Sequence, residues 1–162
     1  MKRFNVFNIS LILLFLASAL RIQAQVPENG LVFDGVDDYV SVPSSSGDEL
    51  NPEFNLTLEC WVYLNEAVSG THRPHVVTKS GSYGLVVETS GTARLFLYRN
   101  PDGWISTPYL ASTPINPNQW YHLSATFDGI TGRLYVNGAE EATVFVDDTL
   151  NTNSENLRIL SP

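Results

Sequence analysis

The chain has 162 residues, of which 43% are hydrophobic and 11% aromatic, so it is long and apolar enough to bury the core of one domain. This composition argues against an intrinsically disordered protein. The 17 acidic residues outnumber the 9 basic ones, and a formal net charge of −8 argues against nucleic acid as a partner, because phosphates repel an acidic surface.

The first 24 residues have the pattern of a secretory signal peptide. Lys2 and Arg3 form a basic start, an apolar run covers residues 9–20, and Ala24 is a small residue suited to cleavage. The run is too short to span a bilayer comfortably, which disfavours an uncleaved membrane anchor. We therefore expect residues 25–162 to form the mature domain, with a secreted, periplasmic or cell-surface location and no transmembrane segment after signal cleavage.

Removal of this segment would make the protein more acidic. The segment contains three of the nine basic residues, Lys2, Arg3 and Arg21, so 9 − 3 = 6 would remain against 17 acidic residues, a formal charge of 6 − 17 = −11. Cleavage after Ala19 would instead leave Arg21 in the mature chain. An acidic surface suits a secreted protein, and an oxygen-rich cation site has the same composition.

The mature domain begins with a predicted hairpin. Strands over 31–33 and 39–42 flank a loop over 34–38, in which Gly35 can adopt a positive φ and aspartates favour turns. A serine- and glycine-rich connection follows.

A long strand is predicted over 54–64, with its apolar residues on one face. Cys60 lies on that face, and it is the only cysteine of the chain, so an intrachain disulfide is excluded. No positive neighbour along the strand would lower its pKa, so we interpret Cys60 as a small buried hydrophobe rather than a nucleophile or metal ligand.

Short strands separated by glycine turns continue through the middle of the chain. The alternation of apolar and polar residues predicts three of them, and Pro108 marks a fourth as an edge strand. Their predicted bounds are 75–79, 83–88, 93–99 and 104–109.

The clearest pattern lies between residues 118 and 145, which we interpret as three consecutive antiparallel strands. Tyr121, Leu123, Ala125 and Phe127 occupy every second position of the first strand. The dipeptide at 137–138 is Asn-Gly, the strongest signal for a type I′ hairpin turn. The third strand is predicted over 142–146 and a last one over 156–160, so the fold class is all-β, a two-sheet antiparallel jelly-roll sandwich.

Several motifs carry a resemblance to a known family. They are LVFDGVDDYV at 31–40, LECWV at 58–62, WYHL at 120–123, FDG at 127–129 and LYVNG at 134–138. In this order and spacing they resemble the LamG-like jelly-roll family of the concanavalin A-like lectin and glucanase superfamily, over essentially all of residues 26–162. Such domains usually continue into a closing strand that resembles G-x-I-D-E-V-R-I-Y. We therefore expect a sandwich that lacks its C-terminal closing strand, either as a fragment of a longer protein, which we favour, or with an unpaired sheet edge.

The resemblance implies a calcium ion near the rim of the sandwich, bound by aspartates and backbone carbonyls. Asp34, Asp37 and Asp38 in the first loop, together with Asp128, are the candidate ligands, since calcium takes several oxygens at once. The alternative is that these aspartates occupy turns because they hydrogen-bond their own backbone.

A carbohydrate-binding surface is the second candidate site. Tyr98, Arg99, Trp104 and Tyr109 cluster around the turn at 101–103, and sugars stack on aromatic rings while their hydroxyls meet polar side chains. The alternative is that these aromatic side chains pack in the core or on the surface, as is equally open for Trp61 and Phe96.

No catalytic residues are predicted. Hydrolases of this superfamily carry a strand motif of the form E-x-D-x-E, which is missing here, and Glu140 and Glu141 would point to opposite faces of a strand. We therefore predict a secreted, non-catalytic module that binds glycans or extracellular proteins with the help of calcium. The alternative is a structural or adhesive domain of a larger cell-surface protein, and a glycoside hydrolase-like enzyme is less favoured.

Overall fold

A computed structural model describes residues 29–45, 49–69, 73–99, 103–104 and 110–161. Within these ranges it contains eleven strands and no helix, so no described helix could cross a membrane. This confirms the all-β fold class. The strands are β1 (Val40–Val42), β2 (Leu56–Tyr63), β3 (His75–Lys79), β4 (Tyr83–Val87), β5 (Thr92–Arg99), β6 (Gly103–Trp104), β7 (Leu110–Pro114), β8 (Trp120–Phe127), β9 (Thr131–Val136), β10 (Ala139–Phe145) and β11 (Leu157–Ser161).

The strands form two antiparallel sheets that pack face to face. The seven-stranded sheet has the order β1-β11-β3-β4-β5-β6, and β7 also pairs with β5. The four-stranded sheet has the order β10-β9-β8-β2. The two-sheet sandwich expected from the sequence is therefore confirmed.

The stretch from β8 to β10 folds as three consecutive antiparallel strands, as its sequence predicts. Ala125 is opposite Leu134 in the pairing of β8 with β9. Asn137 and Gly138 connect β9 to β10 with φ values of 51° and 79°. Both are positive, which is the requirement of a type I′ turn, and this turn fixes the register of the hairpin.

The core lies between the two sheets, and β5, β8 and β9 contribute every second residue to it, whereas β4 is buried along its whole length. The four-stranded sheet contributes Leu123 and Leu134, and the seven-stranded sheet contributes Leu85, Leu95 and Leu97, all buried. Successive side chains of a strand point to opposite faces, so the residues between these positions face outward. This alternation places Arg94, Phe96 and Tyr98 of β5 on the outer face of the seven-stranded sheet.

Gly132 near the start of β9 lies where the two sheets pack tightly. A Cβ atom at this position would lie 2.9 Å from a methyl carbon of Leu97 and 2.9 Å from one of Val144. Its φ is not positive, so the reason for glycine here is the space that Leu97 occupies.

The predicted first hairpin is wrong. Residues 31–33 form no strand, and β1 pairs instead with β11, with Val40 opposite Ile159. Leu31 and Val32 are 69% and 88% exposed, so these apolar side chains have no layer to pack against. The predicted pairing failed because the strand that β1 needs comes from the far end of the chain.

Two further differences concern the middle of the chain. β7 was not among the predicted strands, yet Leu110 and Pro114 pair with Arg94 and Thr92 of β5. The edge strand predicted over 104–109 is described only at its start, where Gly103 and Trp104 pair with β5, and residues 105–109 lie outside the described residues.

Candidate functional site

The outer face of the seven-stranded sheet carries a group of basic and aromatic side chains. Because Leu85 and Leu95 face the core, the residues that alternate with them face outward. Strand pairing then aligns His75, Val86 and Arg94 in one row and Gly84 with Phe96 in the next. We call this surface the arginine–aromatic face and define it by Arg73, His75, Glu88, Arg94, Phe96 and Tyr98.

Two arginines on this face share one carboxylate. Glu88 Oε1 accepts a hydrogen bond from Arg94 Nη1 at 2.9 Å and a longer one from Arg73 Nη1 at 3.5 Å. The Glu88 side chain is only 12% exposed, whereas Arg73 and Arg94 are 45% and 26% exposed. One negative charge therefore lies beneath two positive charges, and the excess positive charge is at the surface.

The Phe96 ring packs against both Arg94 and His75. The guanidinium carbon of Arg94 lies 4.6 Å above the centroid of the Phe96 ring, a cation–π contact. The His75 ring lies 6.4 Å from the same centroid. Burial, and then the nearby charge of Arg73, lower the pKa of His75, while Glu88 acts in the opposite direction. His75 therefore contributes a largely neutral ring to the face at neutral pH.

The predicted glycan-binding residues are only partly brought together. Tyr98 lies on the arginine–aromatic face, and its backbone pairs with that of Trp104. Arg99 follows Tyr98 in β5, so its side chain points to the other side of the sheet. Its backbone forms a bridge with Leu150. Tyr109 and the side chain of Trp104 lie outside the described residues.

Three of the four predicted metal ligands lie together. Asp34, Asp37 and Asp38 each place a carboxylate oxygen within 4.8 Å of the others, and all three are exposed. Asp34 Oδ1 accepts the backbone N–H groups of Val36 at 2.8 Å and Asp37 at 3.4 Å. The Val36 bond is the main cause that lowers the pKa of Asp34. Asp34 thus hydrogen-bonds the backbone of its own turn, which is the alternative to a metal-binding role for this aspartate.

This acidic loop fits calcium in donor type but supplies only part of a ligand set. Carboxylate oxygens are the donors that calcium prefers, and it takes six to eight of them. The loop offers three carboxylates, so backbone carbonyls and water would have to complete the set.

Asp128 is not part of this group. It lies in the turn between β8 and β9, where Oδ1 accepts the backbone N–H groups of Ile130 and Thr131 at 3.0 Å and 2.6 Å. Its Oδ2 accepts a hydrogen bond from Arg133 Nη1 at 3.0 Å. The Thr131 bond, then the Arg133 bond, lower its pKa. Both oxygens serve the turn and its neighbouring strand, which explains the aspartate at this position without a metal.

The outer face of the four-stranded sheet carries cross-strand aromatic pairs. Trp61 lies 5.1 Å from the His122 ring and Tyr63 lies 5.4 Å from Trp120, with the rings tilted in both cases. His122 Nε2 is also 3.0 Å from a carboxylate oxygen of Glu59. Such pairs stabilise neighbouring strands. The structure therefore places Trp61 on the outside rather than in the core.

Glu140 and Glu141 have different hydrogen-bond partners. Glu140 accepts a hydrogen bond from Thr143 of its own strand, whereas Glu141 binds Ser112 and Thr113 of β7. Burial raises the pKa of the Cys60 thiol to about 12, and Cys60 packs against the core. Cys60 is only partly buried, and its interpretation as a small core-packing residue rather than a nucleophile stays a prediction.

A protein-family model described as the concanavalin A-like lectin/glucanases superfamily matches this chain. The match covers residues 34–161, most of the chain. The chain belongs to this superfamily. The resemblance inferred from the sequence motifs is thereby confirmed. A comparison of the sequence with curated proteins gave no match.

Solved structures share the fold at low sequence identity. The binding domain of Paraclostridial mosquitocidal protein 1 matches with a TM-score of 0.59 and 14% identity, over 76% of this chain and 33% of its own. A putative carbohydrate binding protein from Bacteroides ovatus gives 0.57 and 20%, over 75% and 34%. The botulinum neurotoxin serotype D binding domain gives 0.56 and 14%, over 75% and 32%. The chain thus spans about a third of the length of these proteins, and they show its fold.

Sequence reasoning missed the arginines of the arginine–aromatic face. Arg73 precedes β3, Glu88 follows β4, and Arg94 lies in β5, so no continuous motif contains them. The signal that was available is the alternation of Arg94 and Phe96 with core leucines, which puts a basic and an aromatic residue on one outward face.

Proposed function

We propose that the protein is a secreted, non-catalytic carbohydrate-binding module that uses the arginine–aromatic face. The observation that carries this proposal is the placement of Phe96 and Tyr98 beside Arg94 and His75 on one outward sheet face. Aromatic rings offer apolar surface to the C–H face of a sugar, and the polar side chains offer partners for its hydroxyls.

The superfamily and its structural neighbours support this function. One neighbour is described as a putative carbohydrate binding protein, and two others are binding domains. At identities of 14–20%, these proteins share the fold of this chain and nothing finer. The proposed ligand class therefore rests on the residues of this chain.

Export is the second part of the proposal. It is supported by the basic start and apolar run within the first 24 residues.

A calcium ion at Asp34, Asp37 and Asp38 is the third part of the proposal. It is supported by the three carboxylate oxygens that lie within 4.8 Å of one another, because a cation would relieve their mutual repulsion.

A glycan array with the purified full chain tests the binding function. We expect saturable binding to a subset of glycans. Tyr98→Leu should weaken it, because leucine keeps apolar volume but removes the flat ring. Tyr135→Leu is the matched control, since Tyr135 faces outward from β9 of the other sheet.

The outcomes separate the candidate functions. Retained binding in Tyr135→Leu together with weakened binding in Tyr98→Leu supports the proposal, provided that circular dichroism shows both variants folded. Equal binding by both variants would place the site elsewhere. A silent array with the wild-type chain, with and without calcium, favours the structural or adhesive domain instead.

A further inference from the structure

Basic side chains are unevenly distributed over the two outer faces. Six basic residues follow residue 24. Arg94 and Arg158 point outward from the seven-stranded sheet, and Arg73, which precedes β3, reaches the same face at Glu88. Arg158 aligns with Thr78 and stacks over the Tyr39 ring at 5.1 Å. Among the described outward positions of β3, β4, β5 and β11 and the residues next to them, Glu88 is the acidic side chain. This face therefore carries excess positive charge in a protein of net charge −8.

The pairing with Glu88 uses Nη1 of each arginine and leaves the Nη2 group of each without a hydrogen bond to this carboxylate. Each guanidinium has five N–H donors, and Glu88 takes one Nη1 from each arginine through a single oxygen. Among the described residues, the side chains of Arg73 and Arg94 make no further hydrogen bond or ion pair. The two planar groups around one carboxylate are suited to bind a second, external anion in a bidentate manner.

Packing fixes Arg94 before any ligand arrives. Its guanidinium rests on Phe96, and its Nε atom is buried without a hydrogen-bond partner in the described part of the chain. The stem of the side chain is therefore held within the face while 26% of the side chain remains exposed. A guanidinium fixed in this way loses little conformational freedom when it binds.

We propose that the arginine–aromatic face selects acidic glycans, in which a carboxylate or sulfate group binds Arg73 and Arg94 while the sugar ring lies toward Tyr98. This inference rests on the proposed carbohydrate-binding function and names the ligand class. The net negative charge of the chain opposes long-range attraction of such ligands. Selection therefore depends on direct contact with the two guanidinium groups.

An array of paired glycans tests this inference, each neutral oligosaccharide being present together with its uronate or sulfated counterpart. Polyglutamate is included as an acidic peptide. We expect the full chain to bind the acidic member of a pair at least about tenfold more tightly than the neutral member, the scale of one charge-assisted hydrogen bond. The uronate and sulfate arms show which anion is bound.

Variants assign the effect to the arginines. Arg94→Gln should reduce the preference for the acidic member by about tenfold or more. Arg73→Gln serves as a second variant, because its side chain is more exposed and its loss disturbs the fold less. Arg133→Gln, whose partner Asp128 is on the other sheet, should keep the preference.

Each result decides between the two proposals. Equal binding within pairs overturns the selection of acidic glycans and leaves the carbohydrate-binding function standing, whereas a silent array overturns both. Binding of polyglutamate as tight as that of the best acidic glycan would show a general anion site and would also overturn the inference. Loss of preference in both face variants, with the Arg133 variant unchanged, supports it.

Discussion

The Glu141 carboxylate accepts the backbone N–H of Thr113 at 2.9 Å, and this bond joins the two sheets of the sandwich. Glu141 lies in β10 of the four-stranded sheet and Thr113 in β7, which pairs with the seven-stranded sheet. The same carboxylate also accepts the backbone N–H and hydroxyl of Ser112 at 2.7 Å and 2.6 Å and the hydroxyl of Thr113. The Glu141 side chain thus links β10 of one sheet to β7 of the other.

Replacement of Glu141 by Ala is expected to destabilise the fold. The backbone N–H groups of Ser112 and Thr113 would lose their acceptor, which should lower the free energy of unfolding by about 1–3 kcal/mol. Urea titration followed by circular dichroism measures this change. Glu140→Ala is the matched control, because Glu140 is exposed and binds within its own strand. Equal effects of the two substitutions would contradict the role of Glu141.

The contribution of Glu141 should depend on pH. The hydroxyls of Ser112 and Thr113, and then their N–H groups, hold the pKa of Glu141 at about 2, below its ordinary value of 4.5. The stabilisation is then fully present above pH 4.5 and is lost as the pH falls toward 2. Urea titrations of wild type and Glu141→Gln should therefore converge between these pH values. A constant difference from pH 7 down to the acid limit would refute the assignment.

Gly132→Ala tests how tightly the two sheets pack around β9. Alanine is normally preferred to glycine within a strand, yet here its Cβ would press against Leu97 and Val144. We expect a loss of about 1–3 kcal/mol, the usual cost of overpacking a core. Thermal unfolding measures it. Gly30→Ala is the control, since the added Cβ would meet Trp120 at an ordinary 3.7 Å. A Gly132 variant as stable as wild type would show that Leu97 moves aside freely.

Calcium is expected to raise the midpoint of thermal unfolding, because a ligand that binds only the folded state stabilises it by mass action. The comparison is between excess calcium and chelator. Asp37→Asn together with Asp38→Asn should abolish the shift, whereas Asp128→Asn should retain it, since Asp128 lies outside the acidic loop. Superimposable melting curves for the wild type in calcium and chelator would remove the calcium site from the proposed function.

Local patterns of the sequence were sufficient to predict the strands and the turn between β9 and β10 in the stretch from β8 to β10. The buried positions of β8 follow its period-2 pattern, and the Asn-Gly dipeptide gives both positive φ values of the turn. These features depend on residues that are neighbours in the chain, so they can be identified without the rest of the molecule. The family motifs, which keep their order and spacing, depend on the same local chemistry.

Only the tertiary structure decided which strands pair at long range and which face of a strand is covered. Val40 pairs with Ile159 across most of the chain, and the Glu88 carboxylate joins Arg73 to Arg94 from three separate segments. Alternation shows that Arg94 and Phe96 share a face, but only the position of the second sheet shows that this face is outside. The physical reason is that strand composition sets local conformation, whereas pairing and burial depend on packing between segments far apart in sequence.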